Sequence, residues 1–164
     1  MCENPKNHAE YITALFNPQQ LQAYAEEIAK AITKDKMGGM KIDAIAVRGI
    51  SGIVMGSVVS MLTQLPLVIV RKTYETHSRH MVEFGLTNNE PFNYVIIDDI
   101  IASGRTILAI KDKIAYYHPA KEQNTLQKIY LYEHYNRQNS EKITILVEEI
   151  ILKHANIVHN KIIL

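Results

Sequence analysis

An α/β domain, with a mostly parallel sheet flanked by helices, follows from three features of the chain. Short apolar runs of strand type alternate with stretches in which apolar residues recur every three or four positions. The runs are mostly apolar, as in strands covered on both faces. No internal repeat or low-complexity linker interrupts the alternation, so the whole chain, residues 1–164, reads as one domain. With 47% hydrophobic and 21% charged residues, it can bury a core.

The first helix opens at Asn17-Pro18, where Asn can cap free amides and Pro is pre-set for the first helical position. Leu21, Tyr24, Ala25, Ile28, Ala29 and Ile32 form its apolar face. Gly38-Gly39 ends the pattern, and residues 42–47 form the first strand. Arg48-Gly49-Ile50-Ser51-Gly52 reads as a tight turn and residues 53–62 as a helix, with Gly52 and Gly56 permitting close packing on the sheet. Leu67-Val68-Ile69-Val70 is the second strand. Residues 71–85 turn polar and read as a long exposed loop, of a length that commonly carries function.

Tyr94-Val95-Ile96-Ile97 is the third strand, and a helix follows from Thr106. Residues 128–131 are the fourth strand. Ser140 caps a last helix carrying Ile143, Leu146, Val147, Ile150, Ile151 and His154 on one face. Sites in such sheets lie beyond the carboxyl ends of the strands.

Eighteen Lys and Arg against 17 Asp and Glu leave a net charge of +1, without the global positive field of a general nucleic-acid binder. Cys2 is the one cysteine, so there is no disulfide framework or Cys-based metal site. No apolar run reaches membrane-spanning length, and the opening residues are polar where a signal peptide needs an apolar stretch. A cytoplasmic protein with neither nucleic-acid nor membrane partner is the expectation.

The strongest local signal is Val95-Ile96-Ile97-Asp98-Asp99-Ile100-Ile101-Ala102-Ser103-Gly104-Arg105-Thr106. An apolar strand emerges into two carboxylates, then a small-residue loop, then a helix. The helix start supplies amides and a positive dipole end, Ser103 and Thr106 supply hydroxyls, and Gly104 lets backbone approach an anion. Beside such a phosphate cradle the natural partners of Asp98 and Asp99 are sugar hydroxyls, a divalent cation, or both. Arg48, Arg71, Lys72 and Arg105 all fall after strands or in the cradle and would converge on one edge as a local anion funnel.

These residues resemble the signature of the type I phosphoribosyltransferases: four apolar residues, two acidic, two apolar, then a Thr/Ser-Gly-x-Thr loop. The likeness covers roughly residues 42–132. It implies that fold, with a small hood of unassigned origin, and transfer of the 5-phosphoribosyl group from 5-phosphoribosyl diphosphate (PRPP) to a nucleobase with release of diphosphate. Magnesium is the implied cofactor. By the resemblance, Asp98 and Asp99 hold the ribose 2- and 3-hydroxyls, with magnesium attached mainly through those hydroxyls and water. Ala102, Ser103, Gly104, Arg105 and Thr106 bind the 5-phosphate. Arg48-Gly49 matches the diphosphate-binding loop, Arg71-Lys72 supplies cations, and residues 73–80 look like the loop that closes over the reacting centre.

Ala102 stands where the hypoxanthine-guanine branch has an Asp. Met81-Val82-Glu83-Phe84-Gly85 is similar to the Glu-aromatic-Gly element of the adenine enzymes, which makes Glu83 the candidate for general acid/base or base-orienting work. The resemblance thus points to a purine, with a lean toward adenine, and to nucleotide salvage. The alternative is a non-catalytic member of the same fold that senses PRPP. Neither Gly-x4-Gly-Lys-Ser/Thr nor Gly-x-Gly-x-x-Gly occurs, which sets aside the nucleotide hydrolases that also place acids after a strand.

Blander readings attach to other residues. Alone, Arg48 is a strand-end arginine and Lys72 a solubilising lysine; their placement after consecutive strands is what singles them out. Glu83 could also be an exposed residue of an alternating flap strand. His77 and His80 read as solvated, and His154 and His159 as structural. Tyr130, Tyr132 and Tyr135 could offer a stacking face but at strand spacing read as packing residues. Ile162-Ile163-Leu164 is apolar enough to pack on the domain or on a second subunit, and a homodimer is the expected assembly.

Overall fold

The structure, a computed structural model, describes residues 14–72, 80–99, 104–132 and 155–157. After a short 3-10 turn at Ala14–Phe16, helix α1 runs over Pro18–Met37. The Asn17 side chain accepts from the amides of Gln19 and Gln20 at 3.1 and 3.2 Å, as its capping composition anticipates. Strand β1 (Ala44–Arg48) leads directly into α2 (Gly49–Thr63), followed by β2 (Leu67–Val70) and β3 (Val82–Phe84). Strand β4 (Asn93–Asp98), helix α3 (Arg105–Tyr117), β5 (Thr125–Leu131) and β6 (Ala155–Ile157) complete the described elements.

The six strands lie in the order β3-β2-β1-β4-β5-β6. All neighbours are parallel except β2 and β3, which pair antiparallel with Ile69 opposite Glu83. Period-two alternation sorts the side chains. Ile45, Val47, Val95, Ile97 and Tyr130 pack with Ile28 and Ile32 of α1 and with Met55 and Val59 of α2. Ala46, Val70, Ile96, Ile129 and Leu131 pack with Ile107, Ile110 and Ile114 of α3. Helices thus cover both faces, and each fully buried Ile contributes about 1.5–3 kcal/mol.

Two glycines set how closely α2 lies on the sheet. A β-carbon on Gly56 would stand 2.5 Å from Val47 Cγ1, and one on Gly52 would stand 3.1 Å from the Ile97 carbonyl oxygen. The chain leaves β1 toward β2 on one side and returns to β4 on the other, so the carboxyl ends of β1 and β4 flank a topological switch point.

Several boundaries differ from the sequence reading. The segment 48–52, read as a turn, contains the start of α2: Gly49, at φ +77°, makes the whole change of direction in one residue, and Gly52 serves packing instead. The segment 71–85, read as a loop with a flap strand as one reading of Glu83, carries the three-residue strand β3. Strand β5 begins at Thr125, three residues earlier than expected. Strand β6 falls just after the expected last helix, where no strand was anticipated. That helix, the tail 162–164, Tyr135, His77, His154 and His159 lie outside the described residues, and no hood is identified among those described.

Candidate functional site

The carboxyl ends of β1, β2 and β4 bring most of the singled-out residues to one edge. Arg48 ends β1 in extended conformation and caps α2, leaving Gly49 as the first helical residue. Its Nε is buried with no hydrogen-bond partner among the described residues, an arrangement that leaves a cationic donor available to an incoming anion. A β-carbon on Gly49 would lie 3.4 Å from Lys72 Cε and 3.6 Å from its Nζ, so the ammonium group stands over the α2 N-terminus. Two positive features, the lysine and the helix dipole, meet at this glycine.

Beside them, β4 delivers Asp98 and Asp99, 5% and 6% exposed. The Asp99 amide donates to Asp98 Oδ1 at 3.1 Å, and a β-carbon on Gly52 would sit 3.9 Å from the same oxygen. Burial pushes the Asp98 carboxyl well above the ordinary range; the neighbouring Asp99 charge and a side-chain hydrogen bond with it push the same way. The Asp99 amide and the Lys72 charge oppose this without prevailing. The acidic pair and the lysine over Gly49 therefore share one electrostatic environment.

The cradle's far side is the start of α3. Gly104, the N-cap, is buried and takes φ +68°, and its carbonyl accepts from the Leu108 amide at 3.0 Å. A glycine at this position offers no side-chain oxygen of its own to the first-turn amides. Thr106 is half-buried and Arg105 exposed. Ala102 and Ser103 lie outside the described residues, as do residues 73–79 of the candidate closing loop.

Glu83 is placed differently from a free base-site carboxylate. Arg71 Nε donates to Glu83 Oε1 at 3.2 Å, and a terminal guanidinium nitrogen lies 3.2 Å from the same oxygen. The pair ties β3 to the exit of β2. A carboxylate engaged by guanidinium is a good anchor for the arginine. The short β3 ladder is what sets Arg71 and Glu83 together.

Among the described residues no three His, Cys, Asp or Glu side chains could together hold a metal ion. The two carboxylates still suit magnesium, which keeps waters and substrate oxygens in its shell and needs only one or two protein ligands.

The tyrosines fall on the packing side. Tyr130 is fully buried with its hydroxyl on Asp35, and the Tyr132 ring lies 6.2 Å from that of Tyr24. Two polar groups, half-buried Asp35 and buried His118, went unsuspected in the sequence. Asp35 binds Lys128 and Tyr130, and His118 is wedged between Phe84 and Phe92 with Nδ1 accepting from the Ala120 amide at 3.2 Å. Both depend on contacts distant in sequence. Gly52, read as a packing glycine, also borders Asp98.

No protein-family model matches the chain, and no curated protein matches it by sequence. Solved structures do match in fold. A structure of Leishmania donovani UMP synthase aligns at 16% identity over 90% of this chain and 28% of its own, with a TM-score of 0.63. Adenine phosphoribosyltransferase from Saccharomyces cerevisiae aligns at 18% identity over 89% of this chain and 82% of its own, with a TM-score of 0.62. Orotate phosphoribosyltransferase from Francisella tularensis aligns at 16% identity over 85% of this chain and 66% of its own, with a TM-score of 0.63. The chain has the type I phosphoribosyltransferase fold, and it spans little more than a quarter of the synthase.

Proposed function

We propose that the protein transfers the 5-phosphoribosyl group of PRPP to a nucleobase, releasing diphosphate, as a cytoplasmic enzyme of nucleotide metabolism. The observation that carries this reading is the placement of Lys72 over Gly49 and within reach of the charge on Asp98, at an edge where β1, β2 and β4 all end. A cationic diphosphate subsite beside a sugar-hydroxyl subsite is what the donor requires.

In this reading the α3 amides with Ala102, Ser103, Gly104, Arg105 and Thr106 bind the 5-phosphate. Asp98 and Asp99 accept hydrogen bonds from the ribose 2- and 3-hydroxyls. Arg48, the Gly49 amide, Arg71 and Lys72 hold the diphosphate. Asp98 and Asp99 would also hold magnesium, mainly through those hydroxyls and water; when bound, it neutralises diphosphate charge. A nucleobase nitrogen forms a bond to the anomeric carbon as the carbon–oxygen bond to diphosphate breaks, the electron pair leaving with diphosphate. The transition state has oxocarbenium character, so the protein's work is positioning, charge neutralisation and exclusion of water.

Glu83 acts here through Arg71, as a positioning residue for the diphosphate subsite. Glu83→Gln is then expected to raise the donor KM about tenfold by loosening a charge-assisted bond. An unchanged donor KM with depressed turnover would instead restore the general acid/base role. The Glu-aromatic-Gly element supports a purine, with adenine first, as the acceptor.

The deciding experiment supplies the purified chain with PRPP, magnesium and a panel of adenine, hypoxanthine, guanine, orotate and uracil. Nucleotide formation with one of them is the expected result. Donor binding without turnover on every base would support the non-catalytic PRPP sensor, and absence of donor binding would remove both readings.

A further inference from the structure

Strand β3 lies at the edge of the sheet and pairs with β2 alone among the described strands. A ladder of three residues, lengthened by the bonds Arg71 N–H to Met81 and Gly85 N–H to Leu67, is a weak hold, so side-chain packing decides whether β3 stays in place. Period-two alternation puts Glu83, with its partner Arg71, on one face and Phe84 on the other. Phe84 packs on the cluster under α3, its ring 6.3 Å from that of Phe92 and 5.0 Å from the imidazole of His118. His118 ends the helix whose start forms the phosphate cradle, and it is 3% exposed.

The hydrogen bonds around His118 fix which nitrogen carries its proton. Asn124 Oδ1 accepts from the Phe92 amide at 3.3 Å, which orients the Asn124 side chain so that Nδ2 meets the Lys121 carbonyl at 2.7 Å and His118 Nδ1 at 3.3 Å. The Ala120 amide approaches the same Nδ1 at 3.2 Å. Both neighbours are donors, so Nδ1 presents its lone pair and Nε2 holds the hydrogen. A further bond joins the imidazole to the Asn88 backbone, in the segment that leaves β3, and it favours the charged ring as an accepting carbonyl does. The neutral ring thus accepts from the turn after α3, donates to the segment after β3, and lies 4.9 Å from the Phe92 ring at its edge.

We propose that His118 is a proton-sensitive positioning residue: its neutral imidazole holds Phe84 and with it β3, which keeps Glu83 on Arg71, and a proton on Nδ1 releases that strand. A protonated Nδ1 would aim an N–H at two other N–H groups and shut a charge among phenyl rings. Burial already holds the imidazole below its ordinary value, against the Asn88 bond. The charged groups on the surrounding elements do not offset this. Glu83 is turned to the other face with Arg71, Lys113 lies over the Tyr117 ring, and Glu90, Asp112 and Lys121 are exposed. Lys111, half-buried two turns before His118 on its side of α3, would repel a second cation. Tyr94, beside Phe92, stays protonated because burial raises it. With β3 swung out the ring is wet and titrates near about 6.5, so opening grows easier below that pH, by up to about tenfold per unit, until the value of the closed state is passed. That Arg71, once released, costs donor affinity rests on the proposed reaction; the hold on β3 does not.

The test is hydrogen exchange of the full chain without donor, from about pH 7.5 to about pH 5.5, with rates corrected for the intrinsic pH dependence of exchange. Protection of residues 81–92 is expected to fall by up to about tenfold over that range while β1 and β4 hold theirs. His118→Asn keeps an acceptor near the place of Nδ1 and takes no proton, so its protection of 81–92 should not follow pH. His118→Phe keeps a ring and takes no proton, and it should show the same flat profile. A flat profile in the wild type overturns the proposal, as does a fall in either folded variant that matches the wild type. Donor KM supplies the second readout. Between the same limits it should rise about three- to tenfold more in the wild type than in His118→Asn, a comparison in which titration of PRPP itself cancels, and Glu83→Gln should remove the difference. Parallel KM profiles in wild type and His118→Asn would overturn the link from β3 to the donor. Absence of PRPP binding at every pH beside the expected exchange would remove the proposed reaction and leave the hold on β3 supported.

Discussion

At the carboxyl end of β4, Asp98 and Asp99 are buried side by side, and the Lys72 charge acts on Asp98 against their mutual repulsion. Near the end of α1, Asp35 receives Lys128 Nζ at 2.8 Å and the Tyr130 hydroxyl. A carboxylate in the last turn of a helix is disfavoured by the dipole, and burial pushes its carboxyl up. The bonds from Lys128 and Tyr130, with the Lys128 and Lys34 charges, reverse that push and leave it below the usual carboxylate value. For Asp98 burial and Asp99 win, and its carboxyl is raised. One region completes its hydrogen bonding within the fold; the other stores electrostatic cost that an incoming set of hydroxyls or a cation would relieve. The contrast is between a carboxylate whose charge its neighbours compensate and one whose charge they do not.

The largest test of this contrast is Asp99→Asn. If the pair serves a ligand, the substitution weakens PRPP binding in the presence of magnesium by about 10- to 100-fold, the worth of one charge-assisted hydrogen bond at about 1.5–3 kcal/mol. Melting temperature should hold or rise. Calorimetric titration checks the first part and differential scanning calorimetry the second; unchanged affinity would put the two regions in the same class.

Asp35→Ala should behave in the opposite way. It strands a partly buried ammonium and a buried hydroxyl, at a cost of about 2 kcal/mol, or about 4–8 °C in Tm for a chain of this size. Donor affinity should not change. A large loss of affinity at unchanged Tm would mean that the Asp35 cluster is part of the site.

The acid pair and its surroundings were legible in the sequence for a physical reason: strand, acids, small residues and helix start are contiguous, so their spacing survives in one dimension. The apolar strands were legible likewise, because burial on both faces removes polar residues. Gly49 as the entire strand-to-helix turn was not, since the glycines at 52 and 56 carry the same letter for a different purpose. Lys128 and Tyr130 lie 93 and 95 residues from Asp35, and Arg71 lies 12 from Glu83. No local pattern announces pairs that meet only through sheet order. A flap strand at Glu83 was one sequence reading, but its pairing with Arg71 was not, because that contact is set by how β3 folds back on β2.

The pH dependence of stability sharpens the comparison further. A raised native carboxyl keeps its proton where the unfolded chain has lost it, so for Asp98 stability falls as pH rises from the unfolded value, about 4, to the native one. Asp35, lowered in the native state, contributes stability fully present above the unfolded value and lost as pH falls through the native one. Asp98→Asn should therefore raise Tm at pH 8 and bring no gain below pH 4, while Asp35→Ala should lose least at the acid end. Thermal melts across pH check both signs, and parallel pH profiles for the two variants would contradict the assignment.

The smallest expected effect is Tyr130→Phe. Removing the hydroxyl leaves Asp35 with its Lys128 bond and retains the ring, which is fully buried between the sheet and its helices. The loss is one hydrogen bond to a charged group that keeps another partner, about 1 kcal/mol in stability. Donor KM and acceptor KM should both stay where they are, because the ring packs in the cluster with α1 and α2 and its hydroxyl is spent on Asp35. A shift in acceptor KM at constant stability would show that the ring stacks on the base. In that case the division between a self-satisfied region and a ligand-seeking one would fail at β5, the strand that carries Lys128 and Tyr130 and pairs with β4 along the length leading to Asp98.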